Sequence, residues 1–230
     1  MAIDKEIRET IRKSLGLPER QEKRLDEAYV VEPQSFTLKT EFLSEKTKKA
    51  RMQDFKNYTD TLNRVSAELD TASRDDANEY SSEFRSLKLD EVHCLNAAFL
   101  RARYFANIDD PQSQLSMDTL AYMRLERDFG TFDDWQKDFI ACGMSARSGY
   151  AVTGYNVMLN RYMNFVIDEE SKNVPIGTYP VIVIDVAEGA YYRDYPGDRK
   201  TYIIAMMKEL NWERIETRFR KMEKLAKLDL

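Results

Sequence analysis

The sequence predicts an α+β chain: a long antiparallel helical hairpin, then a three-stranded antiparallel sheet packed with helices. Three observations carry this. Phe55, Tyr58, Leu62, Val65 and Leu69 recur at spacings of 3, 4, 3 and 4, which is one face of a helix. Past residue 148 the text changes to short β-branched and aromatic runs, "GYAVTGYN", "RYMNFVID" and "YPVIVID". Turn residues separate those runs, with "NVPIGTYP" joining the last two.

The elements follow in order. Ile7, Ile11 and Leu15 are spaced by four, so a short amphipathic helix is expected over about 3–16, ended by Gly16 and Pro18. Residues 20–43 show no period and read as an extended arm. Ser44 is the expected N-cap of the first long helix. The polar stretch "DTASRDDANEYSS" breaks it. A second long helix follows over about 82–107, with Leu95, Phe99, Ala102 and Phe105 on one side. A polar connection between two long helices predicts a hairpin. "DDPQSQ" is the best boundary. Two shorter helices are expected in "SMDTLAYMRLERDFG" and "FDDWQKDFIACGMSAR". Two more, in "DRKTYIIAMMKEL" and "WERIETRFRKMEKLAKL", close the chain. The expected divisions are 1–43 for the N-terminal helix and arm, 44–112 for the hairpin, and 113–230 for the α+β domain.

Composition narrows the function. The 230 residues suffice for a sizeable core. A net charge of −5 speaks against a general nucleic-acid binder. No window approaches the ~20 apolar residues of a membrane span, and no signal or transit segment is read at the N-terminus. Cys94 and Cys142 stand apart with no CxxC spacing, so buried thiols in a reducing, cytoplasmic setting are expected. There is one histidine, His93. Sites for zinc, copper or iron are built mostly from imidazole and thiolate, so a conventional transition-metal site is hard to assemble here. His93 itself reads as an ordinary helix residue rather than a lone general base.

The words then resemble a known family. "FGTFDDWQKDFIACGMSARSGYAV", "NVPIG", "PVIVIDVAEGAYYRDYPGDRKTYI" and "NWERIETRF" stand in the order found in the iron/manganese superoxide dismutases. "LSEKTKKARMQDFKNYTDTLN" and "NAAFLRARYFANI" are similar to that family's two long helices. The resemblance implies its α+β fold. It also implies a redox metal held by three histidines and one aspartate. Carried onto this chain, those four positions are Ala50, Arg101, Asp185 and Gly189, so only the aspartate is left. The group that holds the metal-bound water would fall near Glu170 or near Ala97, and Asp54 stands where the family has a histidine beside the substrate entry.

These departures set the expectations. Arg101 is expected to pair with Asp185 through the fork geometry that arginine favours. The chain is expected to hold no metal and no cofactor and to be no enzyme. It would be a structural or assembly subunit of a larger particle, such as a virion or a multiprotein complex. Its partners would be proteins, among them a second copy of itself. Tyr58, Glu188 and Tyr192 are the expected oligomer contacts. The N-terminal helix lies outside the resemblance, and a short free helix with an apolar face calls for a partner. The alternative is an enzyme with a rebuilt site, in which Asp54, Glu170, Asp185 and Glu188 hold a hard cation.

Overall fold

Three antiparallel strands carry the interior. They are β1 (Gly149–Asn156), β2 (Arg161–Asp168) and β3 (Thr178–Asp185), in the order β2-β1-β3. The computed structural model describes residues 7, 10–16, 28–110 and 114–226. β1 is central and buried along its whole length, as befits a strand paired on both edges and covered by helices. Val152 lies opposite Phe165 on one side and Val183 on the other. A bulge at Thr153/Gly154 shifts the β1–β3 register. Gly154 permits close approach there, since a Cβ would sit 2.6 Å from Thr178 Cγ2 and 2.9 Å from Phe165 Cε1.

Past residue 44, seven helices complete the described elements: α1 (Glu45–Thr71), α2 (Glu83–Ile108), α3 (Leu120–Phe129), α4 (Phe132–Ser145), α5 (Glu188–Tyr191), α6 (Arg199–Lys208) and α7 (Trp212–Leu225). Polar caps explain where most of them start. The side chains of Thr119, Thr131, Asp198 and Asn211 each accept a backbone N–H from the first turn of the helix that follows. The expected cap Ser44 receives the Thr47 N–H at 3.3 Å. The strands and these helices match the expected fold class. Of the expected N-terminal helix, residues 7 and 10–14 are helical, and the other residues of that stretch fall outside the described ones. The described part of the arm, 28–43, has neither helix nor strand.

The described residues form two compact units. One holds those up to Val31 together with Thr61–Glu91; the other holds Glu32–Asp60 and those from Val92 on. The first unit has a small core of Val65, Leu69, Ala72 and Leu87, with Phe84 against it. The second has the main core. Trp135 on α4 is fully buried there and donates its indole N–H to Thr153 Oγ1 at 2.9 Å. That hydroxyl in turn meets Asn164 Oδ1 at 2.6 Å. A buried indole needs such a partner, so this chain fixes α4 on the sheet as well as burying apolar area. Phe55 of α1 and Phe105 of α2 meet edge to face, 5.8 Å apart, within this unit.

A buried arginine cluster as candidate functional site

β3 ends in Asp185, which has no exposed surface. Its backbone carbonyl accepts the Tyr202 hydroxyl at 2.6 Å, and its Oδ1 accepts the Ala187 N–H at 3.1 Å. Its Oδ2 is held by Arg51 Nη2. The same guanidinium reaches Asp54 Oδ2 through Nη1 at 2.9 Å, three residues on along α1. Burial works against the Arg51 charge. Asp185, by charge and by hydrogen bond, with help from Tyr150 and Asp54, raises its pKa above the ordinary value all the same.

Gly189 belongs to this arrangement. It has no side chain, and a Cβ there would stand 3.0 Å from Arg51 Nη1. The guanidinium uses the room that a side chain at 189 would take. On a helix, neighbouring residues point about 100° apart. Ala50 is accordingly exposed while Arg51 is buried.

Arg101 builds the second half. Its Nη1 meets Glu170 Oε1 at 3.1 Å and the Ala97 carbonyl at 3.5 Å. Its Cζ lies 4.4 Å over the ring of Tyr58 and 6.0 Å from that of Tyr150. Burial opposes its charge too, while Tyr150, Asp185 and Glu170 hold its pKa up. Glu170 gets there through backbone shape. Glu169 and Glu170 both have positive φ, 48° and 57°, in the turn after β2. The turn is closed by Lys172 N donating to Asp168 O at 2.9 Å.

Two expectations are corrected here. Arg101 does not pair with Asp185; the turn after β2 presents Glu170 to it, and Arg51 takes the aspartate. Ala50 does not face the site; its neighbour does. Arg51 was missed in the sequence. The signals for it were Asp54 three residues later and the bare Gly189.

The remaining expected residues spread out. Tyr58 is half-buried, with its ring 5.8 Å from that of His93. His93 Nδ1 lies 3.3 Å from Ser171 Oγ. Glu188 and Tyr192 are exposed at the short helix α5. The rebuilt carboxylate site is not assembled: Asp54 and Asp185 are bound by Arg51, Glu170 by Arg101, and Glu188 faces out. Among the described residues, no three His, Cys, Asp or Glu side chains group so as to hold a metal ion.

The redox metal that the resemblance implies does not fit these residues. Three buried polar atoms here have no hydrogen-bond partner among the described residues: Arg51 Nε, Arg101 Nε and Tyr150 Oη. The two guanidinium nitrogens can only donate. Orphaned donors call for an acceptor, whereas a metal cation needs lone pairs. Two guanidinium charges beside Asp185 also repel a cation. Burial, and then Asp185, push the Tyr150 phenol well above its usual range, so it too stays protonated.

The comparisons with known proteins agree on the ancestry. The model for the iron/manganese superoxide dismutase C-terminal domain matches residues 118–218. An iron superoxide dismutase of Aquifex pyrophilus is 31% identical over 173 residues, 74% of this chain and 80% of that protein. Those of Aquifex aeolicus and Cupriavidus metallidurans are each 30% identical, over 74% and 71% of this chain and 80% and 82% of theirs. These findings overturn the expectation of a chain that is no enzyme, because relatives over most of its length bear the names of enzymes. With its sheet, its helix order and these relatives in agreement, the chain belongs to the iron/manganese superoxide dismutase family.

Proposed function

We propose that this chain works through protein–protein contacts, as an assembly subunit of a larger complex or particle built on the superoxide dismutase fold. The observation that carries the reading is an exposed apolar tip at one end of the sheet. Met158 and Leu159 stand in the β1–β2 turn, 89% and 58% exposed, and Ile176 before β3 is 95% exposed. The two loops are tied together: Val157 N donates to Gly177 O at 3.0 Å, and Asn156 Nδ2 to Thr178 Oγ1 at 2.7 Å. Contiguous exposed apolar side chains mark interaction sites more often than idle surface. The partners are proteins, a second copy of the chain among them, with Tyr58, Glu188 and Tyr192 as a further contact region. The setting is the cytoplasm, in keeping with two cysteines, Cys94 and Cys142, that lie far apart in the sequence. No helix among the described residues is long and apolar enough to cross a membrane.

Superoxide dismutation is the second reading, favoured by the names of the relatives. One experiment separates the two. The protein is expressed with iron or manganese, and its mass in solution and its superoxide consumption are measured together. A complex that disappears in Met158→Lys/Ile176→Lys carries the first reading. A metal-dependent rate far above spontaneous dismutation, in a protein that stays monomeric, carries the second.

A further inference from the structure

A second arginine cluster lies away from Asp185, where α2 meets the start of α7. Asn107 joins the two helices. Its carbonyl accepts the Asn211 N–H at 2.6 Å, and its side-chain oxygen accepts Arg218 Nη1. Arg103 stands one turn before Asn107 on α2, and Arg214 one turn before Arg218 on α7. Three guanidiniums therefore occupy adjacent turns. The carboxylate among them is Asp109, which Arg214 Nη2 reaches at 3.0 Å. The other oxygen of Asp109 is already taken by the N–H groups of Thr37 and Leu38 and by the Thr37 hydroxyl.

Arg218 and Arg103 have no carboxylate partner among the described residues. Arg218 is buried against neutral acceptors, Asn107 Oδ1 and the Val181 carbonyl. Burial, and then Arg103 and Arg214, push its pKa down to about 9. Arg103 lies over the face of Phe99, with Cζ 4.7 Å from the ring centroid. Phe99 in turn belongs to an exposed apolar row on α2 that includes Val92 and Leu95. That row has the 3, 4 spacing of a helix-docking face. The chain as a whole is acidic, with net charge −5. A local excess of arginine on such a chain is charge placed against its background.

We propose that this face of α2, with Arg103 and Arg214 at its end, docks an amphipathic, carboxylate-rich segment of a partner protein. Apolar side chains of the partner cover Val92, Leu95 and Phe99, and its carboxylates take the forked donors of the arginines. The inference rests on the assembly reading above and names the chemistry of one partner. Charge complementarity of this kind sets specificity and association rate.

The test uses the full chain and a fluorescein-labelled synthetic helix with leucines on one face and glutamates beside them, and its twin with glutamine for glutamate. Fluorescence anisotropy should show the acidic peptide binding, more weakly as salt rises, with Arg103→Glu and Arg214→Glu each weakening it about tenfold or more. Thermal unfolding of Arg103→Glu should match the parent; Arg214→Glu also breaks the Asp109 ion pair, so its binding is compared at a temperature where it is folded. Equal binding of the two peptides, or binding untouched by the charge reversals, overturns the proposal. So does displacement by inorganic pyrophosphate at the peptide's own concentration, which would make the cluster a phosphate site. Light scattering on the same variants separates the two ideas. Association that persists while peptide selectivity is absent removes this inference alone. Selective peptide binding by a chain that never associates removes the sheet-tip assembly reading alone.

Discussion

Two arginine clusters in this chain answer the same electrostatic problem in opposite ways. Around Asp185, Arg51 and Arg101 are buried and each has a carboxylate, so the charges close on one another. Around Asn107, three arginines have Asp109 between them, and the excess is open toward solvent through Arg103 and Arg214. A buried charge is tolerable only when paired and hydrogen-bonded. In the second cluster Arg218 is buried on neutral acceptors, and Arg103 and Arg214 are the two that reach the surface, where a partner can meet them. The first cluster thus reads as architecture and the second as recognition.

Arg51 is the residue whose loss should cost most. Arg51→Ala leaves Asp185 buried without its partner and should cost about 3–5 kcal/mol in urea denaturation. Arg51→Met with Asp185→Leu, which removes both charges, should recover most of that. If the single and double variants are equally destabilised, the pair is not the unit described here. A neutral buried network gives a smaller reference. Thr153→Val strands the Trp135 indole N–H and Asn164 Oδ1 and should cost about 1–3 kcal/mol, read by the same denaturation. Arg101→Lys keeps the charge but loses the flat stacking on Tyr58, for about 1 kcal/mol. At the open cluster, Arg103→Glu should change stability by no more than about 0.5 kcal/mol. A large loss there would mean that Arg103 is structural and that the contrast between the clusters is false.

What could be read in the sequence follows from range. The strands were legible because β-branched runs lie between turn residues, and the helices because caps such as Thr119 and Asn211 precede periodic faces. Those signals are local. The scarcity of imidazole was also legible, since the chain has one histidine, His93. The partners that Asp185 and Arg101 find were not. Arg51 and Asp185 are 134 residues apart in the chain, and no spacing rule joins them. Glu170 reaches Arg101 only because two successive glutamates adopt positive φ, which propensity argues against. Ala50 was the expected position by counting, but a one-residue step on a helix turns a side chain away from the site and brings in its neighbour.

The metal content of the purified protein decides whether Arg51 and Arg101 exclude a cation. Two guanidiniums stand beside Asp185, and neither can ligate a cation. The protein would be expressed with iron and manganese in excess, purified without chelator and measured by elemental mass spectrometry against protein concentration. Iron and manganese far below one per chain, with a melting temperature unmoved by EDTA, is the predicted result. About one tightly held iron or manganese per chain, lost together with thermal stability on chelation, would contradict it and return Arg51 to the surface of a working metal site.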